Sequence, residues 1–291
     1  MLYQLSYTPA DAAPLPANPS DDKRRAGRHN AGIAMHAPAA RPIDPDLLMR
    51  AYRMGVFPMA DARDDPEVFW VEPRARAILP LDGFRLSASL ARTLRRDRYA
   101  VTCNRAFDAV VAACAESAPG RSETWISGRI AASYRTLHRR GWAHSIECWR
   151  DGELAGGLYG VGFDRVFCGE SMVSRARDAS KVALAWLVAA LRRGGGELLD
   201  CQFMTPHLAS LGAIEISQAE YLARLSAAQA VTGVGDGAEG GVSGVGAGEA
   251  AGEAAGLGLP AGFAALLEES ALAGPASSPG KRIAQSLTQT S

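Results

Sequence analysis

The amino-acid sequence predicts an α/β fold whose sheet is completed by a strand delivered through a helical crossover. Three observations predict it. "HSIECWR" (144–150) and "ELAGGLYGV" (153–161) flank Asp151-Gly152, a strong short-range hairpin signal. "KVALAWLVAALRR" (181–193) is apolar almost throughout and ends on two arginines and Gly194, which reads as a buried helix with a favourable dipole end. "ELLDCQF" (197–203) follows at once as a buried strand, and a strand reached by crossover normally pairs parallel with its neighbour.

The remaining elements fall in order. Residues 1–40 carry Pro, Ala, Asp and Arg without period and are expected to be a flexible extension, with Met35 an alternative start. Residues 41–98 are expected to form a small N-terminal α/β domain. Within it, "DPDLLMRAYRMGVFPM" (44–59) offers Asp44 or Asp46 as N-cap and Gly55 as the stop. "SASLARTLRR" (87–96) is an amphipathic helix opening at Ser87. The main domain, 99–228, starts with the strand "YAVTCN" (99–104) and a helix over Arg105–Ala118. A helix over 127–141 follows, capped by Ser127 and stopped by Gly141. After the hairpin, "RVFCGESM" (165–172) is the third strand, and Ser180 is the expected cap of the crossover helix. Residues 229–291 read as a low-complexity Gly/Ala-rich tail, disordered like the N-terminal extension, dispensable, and with one short helix near 263–273.

Composition narrows the function classes. Lys plus Arg and Asp plus Glu each number 31, so no global field recruits nucleic acid or membrane and any such binding needs a local patch. The basic residues are nearly all Arg, with Lys23, Lys181 and Lys281 the exceptions. Five scattered cysteines without a CxxC read as small buried hydrophobes in a reducing cytoplasm, not as disulfides or zinc ligands. The longest apolar run, Val182–Leu191, is about half a membrane span. A cytoplasmic protein with no metal and no membrane partner is expected.

In "ELLDCQF", alternation puts Leu198, Asp200 and Gln202 on one strand face and Leu199, Cys201 and Phe203 on the other. The Asp200 and Gln202 Cα atoms then stand about 7 Å apart, near enough for both side chains to meet one ligand. From the residues alone, an active site and a pair of satisfied core groups both remain open.

The element order resembles the GNAT-type acyltransferase fold. "RMGVFPM", "ETWISGRI", "GWAHSIECW", "GGLYGV", "FCGESM", "SRARDASK" and "LLDCQF…HLASLGA" resemble leucyl/phenylalanyl-tRNA–protein transferases over roughly residues 42–225. The resemblance implies transfer of Leu or Phe, with Met a third candidate donor, from aminoacyl-tRNA to proteins beginning with Arg or Lys. Such transfer marks proteins for N-degron degradation and needs no cofactor, no membrane and no DNA. It implies a catalytic role for Asp200 and Gln202, and a donor or acceptor site with Met59, Trp125, Leu158, Glu170, Met172, Leu187 and Leu199. It also implies tRNA contacts from Arg92, Arg95 and Arg96. Four positions depart from the family pattern. Met59 replaces a Trp, Leu158 a Met and Leu187 a Phe, while Ala88 replaces one arginine of the tRNA-facing helix.

On this resemblance the Gln202 oxygen accepts a hydrogen bond from the attacking amine. Asp200 either orients it or takes up developing positive charge. Glu170 binds an ammonium of donor or acceptor, the alternative being a salt bridge to Arg175 or Arg177. Leu199 points away from Asp200 by ideal alternation, so a twist, a bulge or a pocket reaching past the strand is expected there. Two other functions compete. An acetyl-coenzyme A-dependent acetyltransferase of the same fold is disfavoured because "VSRARDAS" (173–180) lacks a glycine for pyrophosphate. A non-catalytic tRNA-binding adaptor is disfavoured by the intact Asp200, Gln202 and Glu170.

Overall fold

The computed structural model describes residues 41–116, 124–230, 258–274 and 277–288. The expected flexible extension, the end of the helix expected over 105–118 and nearly all of the Gly-rich stretch from 233 lie outside these residues.

Helix α1 (Pro45–Arg53) begins where Asp44 accepts hydrogen bonds from the Asp46 and Leu47 N–H groups, at 3.0 and 2.9 Å. It ends just before Gly55, whose φ of +81° makes it the left-handed C′ residue. Strands β1 (Phe57–Met59) and β2 (Phe69–Val71) pair as a small antiparallel ribbon. Then come β3 (Ala75–Ile78), α2 (Ala88–Arg95) capped by Ser87, β4 (Ala100–Cys103), α3 (Phe107–Ala115) and α4 (Gly128–Arg139) capped by Ser127. The hairpin β5 (Ala143–Arg150) and β6 (Glu153–Phe163) turns at Asp151 and Gly152, with φ of +55° and +84°, as a right-twisted two-residue loop requires. The chain continues through β7 (Val166–Ser174), α5 (Ala179–Arg193), β8 (Leu198–Gln202), α6 (Pro206–Ser210), β9 (Ile214–Ser217) and α7 (Gln218–Gln229). Two further helices, α8 (Leu259–Leu272) and α9 (Pro279–Ser286), close it.

Seven strands form the main sheet in the order β4-β5-β6-β7-β8-β3-β9. Among the described strands only β7 and β8 run parallel, so the crossover through α5 does what the sequence predicts. Strand β3 lies between β8 and β9, antiparallel to both. The segment expected as a small N-terminal domain (41–98) supplies β3, an interior strand of the main sheet. Arg76, Ala77 and Ile78 are buried, which an edge or a free-standing ribbon would not demand.

Buried apolar side chains form two clusters, one on each face of the sheet. One holds α2, α5, α8 and α9; the other holds α1, α3, α4 and α7. Helix α5 is apolar all round because it is covered twice, by the sheet and by α8. The Trp186 and Phe263 rings lie 5.0 Å apart, and a Cβ on Gly262 would fall 2.2 Å from the Ala190 carbonyl oxygen. The Gly280 N–H of α9 donates to Asp97 Oδ1 at the end of α2. Residues 259–287 of the expected low-complexity tail thus include core. One cap also differs from expectation. Asp178, at φ +63°, precedes α5, and the Ser180 N–H donates to Ser174 Oγ at 3.3 Å while Ser180 lies buried inside the first turn.

Candidate active site

Two bulges build the site. In the β6–β7 ladder Tyr159 faces Ser171 and Gly160 faces Gly169, so Glu170 is an extra residue without a partner. The bulge turns Glu170 towards α1 and α4, and it explains why Phe167 and Met172, five residues apart, enter the same core cluster. In the β3–β8 ladder Ala77 faces Gln202 and Ile78 faces Asp200, leaving Cys201 as the extra residue. Gln202 then adopts φ +56°, unusual for a residue with a side chain. Parallel pairing of β7 with β8 ends at Cys168–Asp200, and Glu170 and Gln202 face each other just beyond it. Glu170 is therefore a bulge residue inside β7, which runs on to Ser174.

Asp200 is fully engaged. Arg76 Nε donates to its Oδ1 at 2.9 Å and Arg76 Nη2 to its Oδ2 at 2.6 Å. The Tyr221 hydroxyl donates to Oδ2 at 3.0 Å, and the Gln202 main-chain N–H donates to Oδ1 at 2.9 Å. The Arg76 guanidinium lies 4.8 and 4.3 Å from the Phe57 and Tyr221 ring centres and donates to the Gly55 carbonyl at 2.9 Å. Asp200 and Arg76 form a buried, bidentate ion pair. Asp200 thereby holds the backbone of Gln202 in its left-handed turn. Its charge is met by Arg76 and not left over for a substrate ammonium.

Glu170 sits in a different setting. The Tyr52 hydroxyl donates to its Oε1 at 2.8 Å, the Tyr134 hydroxyl to its Oε2 at 2.7 Å, and Gln202 Nε2 to Oε1 at 3.4 Å. Burial raises its carboxyl to about pKa 7, against the lowering effect of the two tyrosine hydrogen bonds. Burial holds both phenols well above their ordinary pKa, so they stay protonated. The salt bridge weighed for Glu170 is not made: Arg175 donates to Glu116 at 2.6 Å and Arg177 approaches Asp178 at 3.8 Å.

Gln202 is divided. Its Nε2 is committed to Glu170, while its buried Oε1 has no hydrogen-bond partner among the described residues. The Tyr159 hydroxyl and Ser171 Oγ, cross-strand partners beside the bulge, are likewise buried and unpartnered there. An unpaired buried acceptor costs on the order of 1–3 kcal/mol, so such a group marks a place built to receive a donor.

The expected binding residues divide between the two faces. Met59 and Trp125 lie in the cluster that contains Tyr52 and Tyr134. Leu158, Met172, Leu187 and Leu199 lie in the cluster beneath α5, where Leu158 and Met172 are cross-strand partners. Leu199 keeps ideal alternation, and the expected irregularity falls two residues later, at Cys201. Arg92, Arg95 and Arg96 are exposed on α2, with Arg98 just beyond. Burial lowers His144 to about pKa 4, and its Nδ1 contacts Asn104 Nδ2 at 3.0 Å.

Sequence reasoning passes over Arg76, Tyr52, Tyr134 and Tyr221. The two site tyrosines do carry a signal. Tyr52 follows Leu48, and Tyr134 follows Ile130, by one helical turn, so each phenol enters the core, where its hydroxyl requires a partner.

Two family models match the chain: "Leucyl/phenylalanyl-tRNA protein transferase" over residues 78–226, and "Leucyl/phenylalanyl-tRNA protein transferase N-terminal domain" over residues 41–74. The chain belongs to the leucyl/phenylalanyl-tRNA protein transferase family. The leucyl/phenylalanyl-tRNA–protein transferase of Novosphingobium aromaticivorans is 64% identical over 258 residues, 86% of this chain and 97% of that protein. The protein of the same description from Rhizorhabdus wittichii is 63% identical over 201 residues, 69% of this chain and 81% of its own. A solved C-terminal domain (DUF2156) of a putative lysylphosphatidylglycerol synthetase from Agrobacterium fabrum is 12% identical at a TM-score of 0.32. That alignment covers 58% of this chain and 56% of that one. In this transferase-family chain, Tyr52 comes from the first matched stretch and Tyr134, Glu170, Asp200 and Gln202 from the second. Arg76 lies between them. The site is assembled across both.

Proposed function

We propose that the protein transfers Leu or Phe from aminoacyl-tRNA to the α-amino group of proteins that begin with Arg or Lys, marking them for N-degron degradation in the cytoplasm. The observation that carries this reading is the unpartnered Gln202 Oε1, fixed at the end of the β7–β8 ladder. The acceptor amine has an unperturbed pKa near 7.7–8.0, and the donor is an activated ester, so the reaction needs positioning more than a strong base. An amide oxygen that accepts a hydrogen bond from the amine supplies that positioning. Asp200 and Arg76 act from behind, by holding the Gln202 backbone. The bulged, parallel β7–β8 pair and its crossover helix favour the GNAT-type reading of the fold. Met59 and Trp125 are the members of the expected binding set on the substrate side; Leu158, Met172, Leu187 and Leu199 support the sheet from the other side.

A coenzyme A-dependent reading is disfavoured by the start of α5. Asp178 places a carboxylate there, 3.2 Å from Lys181 Nζ, and Ser174 already accepts the Ser180 N–H. A pyrophosphate would have to displace Asp178 from Lys181 and would find few free N–H donors.

Purified protein, Phe-tRNA and two peptides, one starting with Arg and one with Ala, test the proposal directly. Transfer to the Arg peptide alone is the expected result; transfer to neither rejects it. The tRNA-facing patch has its own test. Replacing Arg92, Arg95 and Arg96 together by Ala is expected to weaken tRNA binding and flatten its salt dependence, by about 0.7–0.9 in log–log slope for each phosphate no longer neutralised. An unchanged slope removes α2 from the interface.

A further inference from the structure

Tyr52, Tyr134 and Glu170 form a triangle that is one proton short. Three oxygen–oxygen contacts join them: Tyr52 to Tyr134 at 2.7 Å, Tyr52 to Glu170 Oε1 at 2.8 Å, and Tyr134 to Glu170 Oε2 at 2.7 Å. The two phenols bring two protons. If Glu170 is ionised, both phenols donate to it and the Tyr52–Tyr134 contact has no hydrogen between its oxygens. If Glu170 is protonated, each contact holds one proton and the ring closes. The same ionisation reaches Gln202, because Glu170 Oε1 is also the acceptor for Gln202 Nε2–H.

The geometry points to Glu170, held by Tyr52 and Tyr134, as the positioning group that decides which end of the Gln202 amide faces the acceptor amine. Ionised Glu170 draws Nε2–H to itself with a charge-assisted bond, so Oε1 is the end offered to substrate and is the better acceptor for it. Protonated Glu170 pulls more weakly, and a turned amide would present N–H donors to an amine that must lose a proton. Asp200 cannot fill this role, since Arg76 meets its charge and its only bond to Gln202 is to the main chain. The groups that face Glu170 are Tyr52 on α1, Tyr134 on α4, Tyr159 on β6, Cys168 on its own strand, Arg76 on β3 and Asp200 on β8. Of these the two tyrosine hydrogen bonds favour its charged form most. The inference rests on the proposed role of Gln202 and assigns the carboxylate behind it.

The test is the pH dependence of kcat at saturating Phe-tRNA and Arg peptide. Wild-type transfer is expected to rise with pH through about 7, the value to which burial raises Glu170. Tyr134→Phe and Tyr52→Phe each remove a donor to the carboxylate, so the rise should move up by about one unit. That appears as a roughly fivefold loss at pH 7, where the wild type is half ionised, that is recovered by pH 9. The acceptor's own ionisation does not move with these substitutions, and a merely structural role for the tyrosines would lower the rate equally at both pH values. Glu170→Gln should lose at least about tenfold at pH 7 and gain no recovery at pH 9. Unchanged midpoints in folded tyrosine variants, or a Glu170→Gln protein with the wild-type rate, overturn the inference. Gln202→Ala separates the two levels: if it is inactive while the midpoints stay put, only the role of Glu170 falls. If it transfers normally, the proposed chemistry falls with it.

Discussion

Arg76→Met is expected to destabilise the protein by about 3–5 kcal/mol, read as a lower urea midpoint at neutral pH. The size follows from what is left behind. Asp200 is wholly buried, and without Arg76 it keeps the Tyr221 hydroxyl, the Gln202 N–H and the weakly donating Cys168 thiol. The Gly55 carbonyl loses its guanidinium donor as well. An unpaired buried charge costs far more than the net worth of the pair it came from, since the pair itself roughly breaks even against apolar residues of like volume. The double variant Arg76→Met, Asp200→Leu should therefore regain most of the lost stability. It should not regain transfer, because the Gln202 N–H no longer has the carboxylate that holds its turn. A single variant within about 1 kcal/mol of wild type would show that the pair does not brace the turn.

Glu170→Gln is expected to stabilise the protein at pH 8 relative to pH 5, by up to about 3 kcal/mol in the difference from wild type. Burial lifts the Glu170 pKa from 4.5 to about 7 in the folded state. A raised carboxyl means the folded protein holds its proton more tightly than the unfolded chain. The stability this provides is complete below about pH 4.5 and is lost as pH rises through about 7. Glutamine does not titrate, so the variant escapes the loss. Urea unfolding of both proteins at pH 5 and pH 8 measures it, and an equal difference at the two pH values would mean that Glu170 ionises freely in the fold. The gain in stability above pH 7 would accompany a loss of transfer, as expected where a destabilised group serves function.

Much of the sheet is legible in the sequence because its signals are local. Asp151-Gly152 specifies a turn, Ser87 and Ser127 cap helices, and the run from Val182 leads straight to the parallel strand. Asp200, Gln202 and Glu170 are legible as polar residues in apolar strands. Their partners are not. Arg76 lies 124 residues from Asp200, and Tyr52 lies 118 from Glu170, so neither pairing leaves a mark at short range. The Glu170 bulge is invisible for a related reason, and the one at Cys201 is anticipated only through the family resemblance. A bulge is a mismatch between two strands, and a single strand read alone shows only ideal alternation. The short helix expected near 263–273 is most of α8, but its packing into the core and the whole of α9 are hidden by small residues: Gly262 lets α8 approach α5 closely, yet the same Gly and Ala content reads as low complexity. The all-round apolarity of α5 is the sign that a second cover exists.

The place of β3 between β8 and β9 bears on how the chain is made. The ribosome releases Arg76 long before Asp200, and at about 5–20 residues per second the intervening 124 residues take roughly 6–25 s. Through that interval the guanidinium has no counter-ion, and β3 has neither of its neighbouring strands. Its burial must wait for residues 198–217 to emerge. The first sheet strand to be synthesised after the N-terminal ribbon is thus held open until the last, and the left-handed turn at Gln202 is set by the same late closure.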